Sequence, residues 1–244
     1  MTKPIKIFMH LNDLPGAHEL MSEQLTRLSE AGLLDETNTV FLCTNGVEAS
    51  FKDAMSVLAE YRNVKFQHTS NRTDLWEFPT LELLKRNCDV VDEAEDFYVL
   101  YFHLKGLSQR TNQNVIDWRK FMEYWVIDRH EDCIAKLDDG YDLVGTNIIE
   151  QPWLHSSGNF WWSKSSYIKK LKPLVSPLNY TWGVASEYTG AILDGGNFRY
   201  DHEAWIGSGN PAFYEIAKTP GKETPGWHFN NAYPESEYVQ TSTV

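Results

Sequence analysis

Residues 97–106 read FYVLYFHLKG: an apolar run from Tyr98 to Phe102 ends abruptly in His103-Leu104-Lys105-Gly106. A histidine can hydrogen-bond or ligate a metal, and a lysine is a compact positive charge suited to phosphate. The glycine lets the chain turn beside them. An aromatic and β-branched run of this kind suits a strand buried on both faces, and ligands of a parallel α/β sheet gather at the carboxyl ends of its strands. Three other expected strand ends are polar in the same way: His10-Leu11-Asn12, Thr44-Asn45, and residues 68–70. All four lie on one edge if the strands are parallel. An ordinary loop accounts for any one of them alone.

Three further points fall in the second half. His155-Ser156-Ser157-Gly158-Asn159-Phe160-Trp161-Trp162 sets hydroxyls and a glycine before three aromatics. The glycine allows close backbone approach to a ligand and Trp161 or Trp162 offers a stacking face, although a tight turn into a core strand fits equally. Arg199-Tyr200-Asp201-His202-Glu203 carries two carboxylates and a histidine. Either carboxylate suits a general base or an acceptor for a ligand hydroxyl, and the acidic first turn of a helix is the plainer account. His228 stands alone in a loop, and by itself points to nothing.

The elements that must position these residues alternate. Residues 5–9 (IKIFM), 39–43 (TVFLC) and 64–68 (VKFQH) read as strands, the third at an edge. Helices are expected over 17–31, with Leu20, Met21, Leu25 and Leu28 at helical spacing, and over 51–61. A third, over 80–88, follows Pro79. Residues 114–137 form the longest periodic stretch, with Asn114 as cap, and lead to a strand over 141–149. Residues 159–162 look like a further strand, 165–171 like a short helix, and the tail from Gly207 like irregular chain with a poorly ordered end. The expected fold class is α/β, a mainly parallel sheet flanked by helices. One domain over 1–244 joins a Rossmann-like nucleotide-binding half (1–106) to a more irregular donor and acceptor half (107–244).

Composition narrows the function. The 244 residues carry a net charge of −12 and a hydrophobic content of 42%, which argues for a soluble protein and against a non-specific nucleic-acid binder. Three well-separated cysteines and the lack of a leader or an 18-residue apolar run point to a cytoplasmic protein with no membrane span. Aromatic residues reach 14%, with nine Trp, as in carbohydrate and nucleobase sites, although most such rings belong to cores. The chain lacks GxGxxG, GxxxxGK[ST], GxSxG, HExxH and paired CxxC patterns. Asp138, Asp139 and Asp142 fall at the opposite, amino-terminal edge and are set aside.

In this order FHLKG, DWRKFMEYW, YDLVG, HSSGNFWW and DHEAW resemble a group of small GT-A-type glycosyltransferases of bacteria and phages, which show HTKG-like and SGNFWW-like segments. The resemblance runs from about residue 75 to 205; before that the match is only to a generic nucleotide-binding half. It implies transfer of a sugar, a hexose in first place, from a nucleotide-diphosphate donor, UDP-linked in first place, to a hydroxyl of a glycan or other acceptor. His103-Leu104-Lys105 stands where such enzymes carry DxD, whose carboxylate holds Mn²⁺ or Mg²⁺. A protonated lysine is no ligand, so Lys105 is expected to meet the diphosphate and replace part of the metal's charge, with His103 and His228 as weak metal ligands. By the same resemblance His10, Leu11, Asn12, Thr44 and Asn45 line the uridine and ribose pocket, and Gly158 and Asn159 face donor and acceptor. Glu203, with Asp201 behind it, takes the acceptor's proton in an inverting reaction, or orients the sugar in a retaining one. A nucleotide-sugar hydrolase and a non-catalytic carbohydrate-binding protein are the rival readings; the His-x-Lys strand end disfavours the latter.

Overall fold

The structure, a computed structural model, describes residues 3–46, 61–92, 95–181, 183–193 and 198–239. Strands β1 (Ile5–Asn12), β2 (Thr39–Asn45), β3 (Val64–Ser70), β4 (Tyr98–His103), β5 (Leu143–Thr146), β8 (Trp161–Lys164) and β9 (Phe213–Ala217) form one seven-stranded sheet in the order β3-β2-β1-β4-β8-β5-β9. The short strands β6 (Ile148–Ile149) and β7 (His155–Ser156) pair separately. β1 to β4 are mutually parallel and β5 is parallel to β9, whereas β8 runs antiparallel to both β4 and β5. The expected strand ends at 10–12, 44–45, 68–70 and 103 therefore share one edge, and β3 is an outer strand. Asp138 accepts a hydrogen bond from Tyr98, the first residue of β4, and so marks the opposite edge.

Alternation along the strands makes two cores. Ile7, Met9, Leu42, Leu100 and Phe102 face α1 (Ala17–Glu30), which buries Met21, Leu25 and Leu28. Phe8, Phe41, Cys43, Val99 and Tyr101 face the other way, against α2 (Phe78–Asp89), which buries Leu81, Leu84 and Cys88. Helices thus cover both faces, as near-continuous apolar strands require. All three cysteines are free and buried. Among the described residues no helix is long and apolar enough to cross a membrane.

Three expectations change and one falls outside the described residues. The helix over 51–61 lies outside the described residues except Tyr61. The stretch 114–137 is not one helix. α3 (Gln113–Glu123) is capped by Asn112, whose side chain accepts from Asn114 N–H, and passes through a wide π turn at Tyr124–Asp128 into α4 (His130–Asp138). The extra residue in that turn keeps both Glu123 and Asp128 on Arg27 of α1, a contact the apolar periodicity does not encode. The strand over 141–149 is split at Asn147, which turns with φ 47°. Finally, the tail contains β9, an edge strand hidden in sequence by the Gly, Pro and Asn around it. The short helices α5 (Ser165–Ile168), α6 (Arg199–Ala204) and α7 (Trp227–Asn230) complete the described elements used below.

Candidate functional site

β1 has neighbours on both sides, β2 and β4, and the chain leaves it toward opposite faces of the sheet. A crevice outside the carboxyl ends of β1 and β4 follows from this reversal. There a cleft of about 350 Å³ opens, lined by His10 and Asn12 of β1, His103 of β4, and Lys105. Period-2 alternation selects them: His10 and Asn12 share the α2 face, whereas Leu11 between them points to the α1 core and is fully buried. His10 lies opposite His103 in the β1–β4 register. Leu11 is thus a core residue and presents no side chain to the cleft.

The inner wall is built around Glu77, the residue preceding α2. Its Oε2 accepts from the Tyr101 hydroxyl at 2.6 Å and from Asn159 Nδ2 at 2.6 Å, while its Oε1 lies 3.9 Å from His103 Nδ1. Burial raises the carboxyl, but the charges His103 and His10 would carry, the Tyr101 hydrogen bond and His202 outweigh it and hold Glu77 at about 2. The positive end of α2 acts in the same direction. His10 and His202 are pushed down to about 3 and about 4, chiefly by burial, so both rings are neutral at pH 7. His10 Nδ1 is 2.8 Å from Thr80 Oγ1. His103 Nε2 donates to the Gly158 carbonyl at 2.9 Å. Since a carbonyl only accepts, Nε2 carries a proton in that contact.

The Gly158-Asn159 turn supports this wall from the second half. Gly158 adopts φ 91°, and a Cβ there would meet Met122 Sδ at 2.5 Å and Trp118 Cζ2 at 3.1 Å. Asn159, at φ 58° and fully buried, donates to Glu77 and accepts from Trp161 Nε1 at 2.7 Å. These two residues hold His103 and Glu77 in place and do not line the cleft. Trp161 and Trp162 are also inside: both are 0% exposed, Trp161 stacked on Tyr101 and Trp162 donating to the Val126 carbonyl. Neither ring can meet a sugar. Their strand, β8, lies between β4 and β5 and is covered on both faces.

The outer wall comes largely from α6. Arg199, Tyr200 and Glu203 line the cleft, and among the described residues Arg199 and Glu203 make no hydrogen bond or ion pair with the rest of the chain. Arg199 lies 5.8 Å from the Trp76 ring and 5.6 Å from that of Tyr200. Asp201 points the other way. It is 1% exposed and accepts from Tyr180, Ser186 and Thr189, so it fastens the 180–189 segment to α6 and is unavailable as a base. Burial raises its carboxyl despite those bonds. Among the described residues Lys105 has no carboxylate partner; its Nζ lies 4.3 Å from the Trp118 ring centroid.

Sequence reading missed Glu77, Arg199 as a cleft cation, and the half-exposed plates Trp76 (38%), Tyr200 (39%) and Phe229 (41%). Trp76 sits at φ 49°, a costly conformation for a bulky side chain, and its carbonyl accepts from Asn45 Nδ2 at 2.5 Å. That is where Asn45 acts: fully buried with Thr44, it backs the cleft without lining it. Asn12 does line it, with a buried Oδ1 that has no protein partner.

A divalent ion does not fit the expected pair His103 and His228. His103 spends Nε2 on Gly158 and keeps only Nδ1, beside Glu77, for a ligand. His228 lies face to face on Trp118 at 4.1 Å, and burial with the neighbouring Lys105 charge pushes it down to about 4. A cation there would meet the ammonium. Among the described residues no group of three His, Cys, Asp or Glu side chains is arranged to hold a metal.

Residues 6–212 match the family described as Domain of unknown function (DUF8361). No curated protein matches the chain. With the match covering both halves of the sheet and all of α6, the chain belongs to the DUF8361 family.

Proposed function

We propose that this protein is a GT-A-type glycosyltransferase that moves a hexose from a UDP-sugar to a hydroxyl of a glycan or other acceptor. One observation carries the reading. A carboxylate, Glu203, and two cations, Lys105 and Arg199, none of them engaged in an ion pair among the described residues, face one cleft at the carboxyl ends of β1 and β4. Half-buried charges such as Lys105 and Glu203 are ordinarily paired; left open beside the exposed guanidinium of Arg199, they supply what glycosyl transfer needs. The mainly parallel sheet and the ordered HLKG and SGNFWW segments support the same reading.

The donor lies across the strand ends with its nucleobase near Asn12, a polar residue of the cleft lining. Trp76, Tyr200 and Phe229 give flat apolar faces to base and sugar. Glu203 takes the proton from the acceptor hydroxyl as its oxygen attacks the anomeric carbon. The bond from that carbon to the diphosphate breaks, and the electron pair leaves with the nucleoside diphosphate. Lys105 and Arg199 stabilise the charge that develops there, the largest electrostatic task of the reaction. His103 and Glu77 form the inner wall, and Asn159 positions both through the Gly158 turn. The cations of the chain carry this account and no step passes through a metal ion.

Incubation of the protein with UDP-hexoses and hexoside acceptors, followed by quantifying UDP release and glycosylated product, tests it. Transfer abolished in Glu203→Gln is the expected outcome. Release of UDP and free hexose at equal rate with and without acceptor would replace it with a hydrolase.

A further inference from the structure

Glu77 and His103 set two hydrogen-bond acceptors side by side in the cleft. Oε2 of Glu77 is occupied by Tyr101 and Asn159, but Oε1 accepts no hydrogen bond from the described residues. His103 donates from Nε2 to a carbonyl, which in the Nε2–H tautomer leaves Nδ1 as an acceptor. The two atoms are 3.9 Å apart and, both being acceptors in that tautomer, make no bond to each other. Both groups line the cleft, with side chains 16% and 14% exposed, and the buried remainder is clamped by Asn159 and Gly158. Acceptors left open in a partly desolvated wall take donors from water or from a ligand that displaces it.

The spacing discriminates between kinds of ligand. Two donors of an octahedral ion held at about 2.1 Å stand about 3.0 Å apart when adjacent and about 4.2 Å apart when opposite, and 3.9 Å matches neither. One hydroxyl has a single proton and satisfies one acceptor only. Two hydroxyls on adjacent ring carbons carry two protons and reach two acceptors about 2.5–3.0 Å away. The ring face of the same molecule then has the half-exposed aromatic rings Trp76 and Tyr200 within the same cleft.

We propose that Glu77 Oε1 and His103 Nδ1 together bind a vicinal diol of a hexopyranose ring and thereby select which sugar is accepted. The inference rests on the glycosyl-transfer reading of the cleft and assigns its sugar-reading contacts. Glu77 and His103 are specificity residues in this account, and Asn159 positions Glu77.

The test has one arm that contains no nucleotide. Imidazole ¹⁵N spectra of the full-length protein are recorded while methyl glucopyranoside and its 2-, 3- and 4-deoxy analogues are added. The parent sugar is expected to shift His103 Nδ1, and loss of either of two adjacent hydroxyls to weaken binding about 10-fold or more, as for a bond to a charged group. In Glu77→Gln, which keeps the shape of the side chain, that dependence on one of the two hydroxyls disappears. His103→Asn removes dependence on the other, and thermal melting verifies that both variants are folded. A flat deoxy series, or no Nδ1 shift, overturns the proposal. Mn²⁺ that broadens His103 and competes with the glucoside assigns the pair to a cation and overturns it equally. The second arm titrates UDP and UDP-glucose. UDP binding with no effect of Glu77→Gln on the hexose gain sinks the diol site and spares the nucleotide reading. Diol-dependent glucoside binding without any UDP binding keeps the site and sinks the transferase.

Discussion

Replacing Lys105 by alanine separates ligand binding from folding. Its ammonium has one close partner in the protein, the face of Trp118 at 4.3 Å, and a partly exposed contact of that kind contributes about 0.5–1 kcal/mol. The same ammonium against a diphosphate makes a charge-assisted bond of about 1.5–3 kcal/mol. Lys105→Ala is therefore expected to lower Tm slightly and to weaken UDP binding roughly 10- to 150-fold. Lys105→Arg should recover part of the loss, since the charge remains while the fork geometry differs. Calorimetric titration of UDP, run with EDTA and then with Mn²⁺, reads both effects. Binding should survive EDTA, because two cations of the chain already face the ligand, and the double variant Lys105→Ala/Arg199→Ala should lose it. Wild-type affinity for UDP in Lys105→Ala would refute the assignment of this charge to the diphosphate.

Glu203→Gln should lower kcat by about 10²–10⁴ while leaving KM for the donor nearly unchanged, as expected for loss of a general base; steady-state kinetics read the split. Trp161→Ala should cost about 3–5 kcal/mol of stability, measured by urea unfolding, where a well-folded variant with impaired sugar binding alone would contradict the core assignment. Acid titration of stability provides a fourth prediction. His10, His202 and His228 are held below their usual value, at about 3, about 4 and about 4, so the unfolded chain takes up protons that the folded one refuses. Stability should fall as pH drops below about 6.5, by about 1.4 kcal/mol per pH unit for each refused proton. Glu77, lowered to about 2, adds stability above its unfolded value near 4.5 that is lost as pH falls toward 2. Melting temperatures at pH 7, 6, 5 and 4 test this; a flat profile would show that the rings are solvated.

The sheet edge was legible in sequence because it depends on two local signals, buried apolar runs and what ends them. His10, Asn12, His103 and Lys105 meet as those signals imply. Leu11 was separable in principle by period-2 alternation alone. The tryptophans misled because Gly158 before Trp161 and Trp162 signals a tight turn with or without a ligand, and only pairing with β4 shows that the strand is interior. Asp201 and Glu203 differ by two positions on a helix, which places them on different faces, a distinction that needs the helix ends to be known. Glu77 carries no motif. Its one signal, an acidic residue just before a helix, was lost when that helix was taken to begin at Thr80. Arg199, Trp76 and Phe229 reach the cleft through long-range packing that no window of sequence contains.

The reversed strand β8 has a consequence for synthesis. The inner wall needs Glu77 from the first third of the chain and the 158–159 turn that precedes β8. Until residue 164 has emerged, β4 lacks its antiparallel neighbour along Tyr98–Tyr101, an apolar edge open to pairing with other chains. A nascent chain stopped short of β8 therefore exposes an adhesive strand and an unsupported carboxylate at once. Pairing of β8 between β4 and β5 thus supports the inner wall, while β9 and the outer wall from α6 come from residues still later in the chain.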